Sequence, residues 1–348
     1  MTVMVAQRPI GAGHPVFVIA EAGVNHNGDL ELARLLVDVA AASGADAVKF
    51  QTFAAERVAA REAPKADYQR QTTSAEESQQ QMLRRLELPP SAHRELQAHA
   101  RGRGVIFLST PFDEASADLL DALDVPAIKV GSGEVTNLPF LEHVARKGRP
   151  VILSTGMSSL EEVGAAVAAV HAAGNSDLVL LHCVSEYPAR PADANLRAML
   201  TLTDAFRTPV GYSDHTPGLE VALAAVALGA SVIEKHFTLD RGLPGPDHRA
   251  SLEPAQLTEL VRAIRVVEQS LGDGVKTPTA GELGNRVVAR RSLAAAVDLP
   301  AGLALTRESL CALRPATGIP PASLPAVLGR KLTRPRRAGE LIAWSDLE

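Results

Sequence analysis

SVIEKHFTLD, residues 231–240, has the apolar flanks of a buried strand and yet carries Glu234, Lys235 and His236 in a row. Burying such groups without partners costs several kcal/mol, on the order of the loss of a well-made polar interaction for each. Something must compensate them. Strand alternation sorts them: Glu234 and His236 share one face, while Lys235 points the other way with Ile233 and Phe237, where a salt bridge is expected.

Seven further β-rich runs stand upstream: VFVIAEAG (16–23), AVKFQTF (47–53), VIFLST (105–110), AIKVGSG (127–133), VILSTG (151–156), LVLLHCV (178–184) and PVGYSD (209–214). SVIEKHF (231–237) is the eighth. Helix signals lie between them, such as Asp29 ahead of LELARLLVDVAAAS and Ser91 ahead of AHRELQAHARG, both placed as N-caps. This alternation argues for parallel strands joined by crossover helices, and eight units in about 255 residues is the size of a closed (β/α)8 TIM barrel. An open doubly wound sheet shares the alternation. Eight is the closure number, however, and no Gly-rich nucleotide loop dominates.

The helix-like PAQLTELVRAIRVVEQSLG (254–272) ends the pattern, and a polar connector, DGVKTPTAGELGN, follows. Short strands and Pro/Gly-rich turns then take over. The expected organisation is a barrel over 1–270, a linker over 271–286 and a small C-terminal domain over 287–348.

Composition narrows the function classes. With 46% hydrophobic and 22% charged residues the 348-residue chain can bury a large core. A net charge of -5 and no basic stripe beyond RPRR (334–337) give no reason to expect nucleic acid. Two cysteines, Cys183 and Cys311, make neither a disulfide framework nor a Cys-rich zinc site, and fit a reducing, cytoplasmic setting. No signal-peptide pattern or run of about 18–20 apolar residues points to a membrane.

In a barrel of this kind the chemistry sits at the C-terminal strand ends. All eight ends are polar: Glu21, then Lys49 and Gln51, Ser109-Thr110, Lys129 with Ser132 and Glu134, Ser154-Thr155, His182 with Ser185, Ser213-Asp214-His215, and Glu234-Lys235-His236. A lone Ser or Thr there is usually a cap or turn former. Eight polar ends together ask for more. His215 and His236 fall on adjacent strands about 4.8 Å apart and could converge on one ion, although two satisfied core histidines would read the same on spacing alone. Without a thiolate, two imidazoles suit an open site for Mn²⁺, Fe²⁺, Co²⁺ or Zn²⁺. Lys49 and Lys129, among apolar neighbours, need an anion. The carboxylates of Glu21, Glu134 and Glu234 could serve, as could a phosphorylated or carboxylated ligand also held by Thr110, Ser132 and Ser154.

AEAGVNHNGD, VKFQTF, LSTPFDE, KVGSGEVTNLP, ILSTGMSSLEEV, GYSDHTPG and VIEKHFTLDRGLPGPDH together resemble the N-acetylneuraminate (sialic acid) synthases. RRSL and LRPATGIPP resemble their C-terminal antifreeze-like (SAF) domain, so the likeness covers residues 15–348. The resemblance implies condensation of phosphoenolpyruvate with an open-chain N-acetylmannosamine-type aldose, giving a nine-carbon 2-keto acid and phosphate by C–O cleavage. It implies phosphoenolpyruvate contacts at Lys49, Thr110, Lys129, Ser132, Ser154, Ser185 and Ser213, and metal ligation by His215 and His236. The acceptor contacts implied are Gln51, Glu134, Tyr187, Asp247 and Arg314, the last reaching the site of the second subunit in a domain-swapped homodimer. Mn²⁺ is the implied metal, with Mg²⁺ or Co²⁺ as substitutes. Glu134, Glu21 and Glu234 are the candidate catalytic carboxylates: Glu134 or Glu21 to activate water, Glu234 to orient it near the cation.

Two departures stand out. Val184 replaces a hydroxyl-bearing residue before Ser185, and Ala316 replaces a glycine beside Arg314. N-acetylmannosamine is the expected acceptor; a 2,4-diacetamido-trideoxyhexose, leading to legionaminic or pseudaminic acid, is the alternative. A Schiff-base aldolase using Lys49 or Lys129 is a distant one. A metal-dependent hydrolase would want an H-x-H pair on the first strand, where NHN stands. A purely ice- or glycan-binding role for the terminal domain would leave eight polar strand ends unexplained.

Overall fold

The computed structural model describes residues 1–74 and 76–348. It divides into two compact units, Met1–Gly272 and Asp273–Glu348. In the first, a hairpin of β1 (Thr2–Val5) and β2 (Arg8–Gly11) precedes eight strands: β3 (Phe17–Gly23), β4 (Ala47–Thr52), β5 (Ile106–Pro111), β6 (Ile128–Val130), β7 (Val151–Ser154), β8 (Leu178–Cys183), β9 (Val210–Asp214) and β10 (Val232–His236). Every ladder among those eight is parallel, and β10 pairs with both β9 and β3. The hydrogen-bonded order runs β5-β4-β3-β10-β9-β8-β7-β6, and its two ends also lie side by side. The sheet is a nearly closed barrel, as the eight-unit spacing predicts.

Period-two alternation builds two surfaces from each strand. Outward residues such as Val18, Val48, Phe107, Leu153, Leu180 and Ile233 are covered by the crossover helices. Inward residues divide along the barrel axis. Phe17, Ile19, Ala47, Leu108, Ile152, Val179, Leu181 and Val232 form one apolar interior cluster, and Val3, Val5 and Ile10 of the hairpin complete it. The next inward positions, toward the C-terminal ends, are polar. The hairpin therefore seals the N-terminal end, a role the sequence reading did not anticipate because alternation over four residues is too short a signal.

Asp29 caps the helix Leu30–Ala42 as expected, accepting from the backbone N–H groups of Glu31 and Leu32. Ser91 does not cap the next long helix. That helix runs Pro90–Arg103, so Ser91 lies inside its first turn and Pro90 takes the opening position, where a missing N–H costs nothing. Between β4 and that helix an insertion folds as short helices Ala55–Val58, Asp67–Thr72 and Gln79–Arg84.

In the second unit the stretch read as a connector carries a helix, Ala280–Ala289, opened by Glu282 accepting from the Thr279 backbone N–H. Beyond it β11 (Ser292–Ala295) pairs antiparallel with β12 (Leu310–Leu313) over a small core that includes Leu293, Leu299, Ile319 and Ile342. Among the described residues no helix is long and apolar enough to cross a membrane.

Since Ile10 is fully buried against the barrel interior, Ile10→Ala should lower the unfolding free energy of the barrel by about 2–4 kcal/mol. Denaturant titration followed by far-UV circular dichroism measures this.

Candidate active site

The inward polar positions converge on one cavity of about 420 Å³ at the C-terminal mouth of the barrel. Its floor is a charge cluster. Lys49 Nζ sits 2.8 Å from Glu21 Oε2 and 3.4 Å from Glu234 Oε2, and donates to Thr110 Oγ1 at 2.9 Å. Lys129 Nζ lies 3.5 Å from Glu234 Oε1 and donates to Ser154 Oγ at 2.7 Å. Ser213 Oγ donates to Glu234 Oε1 at 2.9 Å. Two lysines and two glutamates, all buried, thus balance in formal charge. Lys235, as expected, turns outward and pairs with Asp214 at 2.6 Å.

The four groups are not equivalent. Burial pulls the Glu234 pKa upward, but Lys129 and Lys49, with the Ser213 hydrogen bond, outweigh it and hold the carboxyl down. For Glu21 burial wins: Lys49 opposes it, Glu234 reinforces it, and the pKa is raised. Burial works against charge on Lys49, yet Glu21 and Glu234 outweigh it and raise that pKa. Lys129, where burial dominates over Glu234, is lowered. The cluster therefore holds one firmly ionised carboxylate and one whose proton is easily kept.

Above the cluster stand His215 and His236, ring centroids 5.5 Å apart. Their pKa values are depressed, first of all by burial: that of His215 to about 4, that of His236 well below the usual imidazole range. Burial favours the neutral form of both rings. The Val184 carbonyl lies 2.6 Å from His215 Nδ1 and can only accept, so Nδ1 carries the hydrogen and Nε2 keeps its lone pair. His236 Nδ1 is buried with no hydrogen-bond partner. No cluster of three or more His, Cys, Asp or Glu is assembled among the described residues. Two neutral imidazoles with other positions left open form a donor set that fits a divalent ion of catalytic type.

The remaining expected residues separate into two groups. Gln51, Ser132, Ser185 and Tyr187 line the cavity. Gln51 reaches Glu21 Oε1 at 3.5 Å, Ser132 Oγ accepts from the Gly156 backbone N–H at 2.9 Å, and the Tyr187 ring lies 4.1 Å from that of His215. Asp247 lines an adjoining space with His236. Burial raises its pKa to about 6. Glu134 is placed elsewhere: its carboxylate takes Asn137 Nδ2 at 2.7 Å and does not line the cavity. Arg314 belongs to the second unit, exposed just after β12.

Both departures are accounted for locally. At position 184 the backbone carbonyl orients His215, and that needs no side-chain hydroxyl. Ala316 is not among the residues with positive φ, so no glycine is demanded there. Cys183, Met157, Tyr68, Gln69, Gln79 and Phe112 also line the cavity and escaped the sequence reading. Tyr68, Gln69 and Gln79 come from the β4 insertion, whose only signal is the unusual distance between the second and third strands.

Residues 36–276 match the NeuB family and residues 290–348 match the SAF domain. The chain belongs to the NeuB family. As a NeuB-family member it is an enzyme of the sialic acid synthase type with a C-terminal SAF domain. It is 48% identical to an N,N'-diacetyllegionaminic acid synthase of Legionella pneumophila, over 98% of this chain and 97% of that one. A protein of the same name from Campylobacter jejuni is 49% identical over 93% of this chain and 98% of its own. Among solved structures, the sialic acid synthetase of Leptospira borgpetersenii in complex with citrate superposes with a TM-score of 0.73 at 36% identity, covering 82% of this chain and 95% of that one.

In this NeuB-family barrel Gly23 holds the mouth open. Its φ is +56°, and an added Cβ would sit 3.3 Å from Glu21 Oε1 and 3.4 Å from His236 Cε1. A non-glycine residue in that conformation costs about 1–2 kcal/mol and would crowd both groups. Gly23→Ala should reduce turnover at least about tenfold, in line with small displacements of reacting groups. Steady-state kinetics with a parallel thermal melt checks this; the midpoint should shift by only a few degrees, about 2–4 °C per kcal/mol at this size.

Proposed function

We propose that this enzyme condenses phosphoenolpyruvate with an open-chain 2,4-diacetamido-trideoxyhexose, giving a legionaminic acid-type nine-carbon 2-keto acid and inorganic phosphate. The observation that carries the choice of acceptor is near-full-length identity of 48% and 49% to two N,N'-diacetyllegionaminic acid synthases, against 36% to the Leptospira sialic acid synthetase. N-acetylmannosamine, the acceptor expected from the motifs, becomes the second choice.

The cavity's chemistry supports the phosphoenolpyruvate half. Lys49 and Lys129 with Thr110, Ser132, Ser154, Ser185 and Ser213 make an arc of donors for a carboxylate and a phosphate. The enol π electrons of C3 attack the aldehyde carbon, forming the C–C bond as the carbonyl π bond breaks to an alkoxide that takes up a proton, and leaving cationic character at C2. Water adds at C2, and the C2–O bond to phosphate then breaks, so that phosphate leaves with its P–O bonds intact and C2 becomes the ketone. Glu234, ionised between the lysines, stabilises the cationic C2. Glu21, whose pKa burial raises, is in its ionised form the stronger base of the two carboxylates and accepts the proton released by the attacking water. Gln51 positions Glu21 through its amide. A divalent ion held by His215 and His236, Mn²⁺ foremost with Mg²⁺ or Co²⁺ as substitutes, would supply Lewis-acid polarisation of the aldehyde oxygen.

Mass spectrometry of products formed from phosphoenolpyruvate with each aldose tests the reading. The diacetamido sugar should give the nine-carbon acid with a higher kcat/KM than N-acetylmannosamine, and the reverse order would refute the acceptor assignment. In ¹⁸O-water the label should appear in the keto acid and not in phosphate.

Metal dependence is tested separately. Chelator treatment followed by desalting should remove most turnover, and Mn²⁺ should restore it; His236→Ala protein should bind Mn²⁺ more weakly in an electron paramagnetic resonance titration. Undiminished activity after metal removal would sink the assignment of the two histidines.

A further inference from the structure

The two histidines at the mouth are held in different ways. The Val184 carbonyl fixes the His215 ring through Nδ1, whereas His236 Nδ1 has no hydrogen-bond partner among the described residues. The direction of the His236 ring therefore depends on its backbone and its packing. That backbone is gripped closely. The His236 carbonyl accepts from the Leu252 N–H at 2.9 Å, and the peptide of the next residue is held on both sides: the Phe237 N–H donates to the Glu21 carbonyl at 3.0 Å, and the Phe237 carbonyl accepts from Asn25 Nδ2 at 2.8 Å.

Asn25 is buried in the loop after β3, where its backbone N–H closes a turn onto the Ala22 carbonyl at 2.9 Å. Its amide nitrogen has a second use. Nδ2 also donates to Ser251 Oγ at 2.9 Å, and the Ser251 hydroxyl donates in turn to the Asp247 carbonyl at 2.7 Å. The orientation of the amide is fixed by its partners, because the Phe237 carbonyl can only accept and the hydroxyl hydrogen of Ser251 is already committed. Asn25 Oδ1 is buried with no hydrogen-bond partner among the described residues. A side chain serving only to fill space would avoid that cost, so the work of Asn25 lies in its two N–H groups.

Those two bonds meet the ends of one loop. Residues 238–252 leave β10 just after His236 and return beside it, with Phe237 and Leu252 forming a parallel bridge. Asp247 lies on the return, and it lines the same space as His236. We propose that Asn25, acting partly through Ser251, is the positioning residue that fixes His236 and Asp247 relative to each other. One planar amide sets both, so the metal ligand and the acceptor contact keep their spacing although the intervening loop carries no regular strand or α-helix. The inference rests on the functional reading above for the roles of those two residues, and adds to it what holds them.

The test separates the two arms of the amide. Ser251→Ala removes one oxygen and leaves that residue's backbone bonds to His248 and Arg241 in place, so folding is least at risk. Assayed with the aldose that the wild type prefers, it should raise the acceptor KM about fivefold, the scale of one lost hydrogen bond, while kcat, the phosphoenolpyruvate KM and Mn²⁺ affinity stay within about twofold. Asn25→Ala also releases Phe237. It should add a roughly tenfold weakening of Mn²⁺ binding in an electron paramagnetic resonance titration, as loss of support around a metal ligand does. An unchanged acceptor KM in Ser251→Ala would overturn the proposal, even if the melting temperature fell, and this variant decides the matter should Asn25→Ala fail to fold. Wild-type Mn²⁺ affinity in folded Asn25→Ala protein would overturn it equally. A wild type that prefers N-acetylmannosamine, or that binds no Mn²⁺, refutes the functional reading instead, and the acceptor KM of Ser251→Ala, read on the preferred aldose, still decides the positioning role.

Discussion

Four charges share the mouth of the barrel below the level of solvent, and the rest of the site is organised around keeping them there. Glu234 faces Lys49 on one oxygen and Lys129 on the other. Glu21 takes the second contact of Lys49. Breaking one partner of a buried pair costs about 3–5 kcal/mol because the remaining charge is stranded. Each member therefore fixes the others, and the strands that carry them cannot slip in register: a one-residue shift of β10 would bring Lys235 inward and send Glu234 against the helices. The apolar layer beneath supplies the low dielectric that makes these attractions strong, and the hydroxyls of Thr110, Ser154 and Ser213 take the hydrogen bonds that remain.

The same neutrality bears on ligand binding. With two cations and two anions balanced, an incoming multiply charged anion meets a site that is not strongly positive overall. Its binding depends on a local arc of donors, Lys49 and Lys129 with the hydroxyls of Thr110, Ser154 and Ser213. The strand ends supply the polar groups of the cavity, and the loops and helical insertion after β4 wall the space beside it.

What the sequence disclosed follows its periodicities. The eight strands were legible as short β-rich runs recurring between helix-like segments, and strand alternation set Glu234 and His236 on one face and Lys235 on the other. Glu134 stands outside the cavity lining because a short 3₁₀ turn, Ser132–Glu134, redirects the chain and sends its carboxylate to Asn137. Periodicity ends at a strand end, so nothing in it could forecast that turn. The insertion after β4 lacked any period, and Tyr68, Gln69, Gln79, Met82 and Leu83 reach the site only through tertiary folding of that segment. The hairpin at the start failed for the opposite reason: its pattern is regular but too short to stand above chance.

That hairpin also sets a constraint on how the molecule comes into being. Val3, Val5 and Ile10 lie far upstream of Val232 in the chain, yet all four belong to one cluster, and β3 lies between β4 and β10. At about 5–20 residues per second, roughly 10–50 s of synthesis separate the plug from the strand it must meet. During that interval the apolar side chains of the hairpin lack the cluster that buries them. Barrel closure is therefore deferred until β10 has been made and can pair with β3.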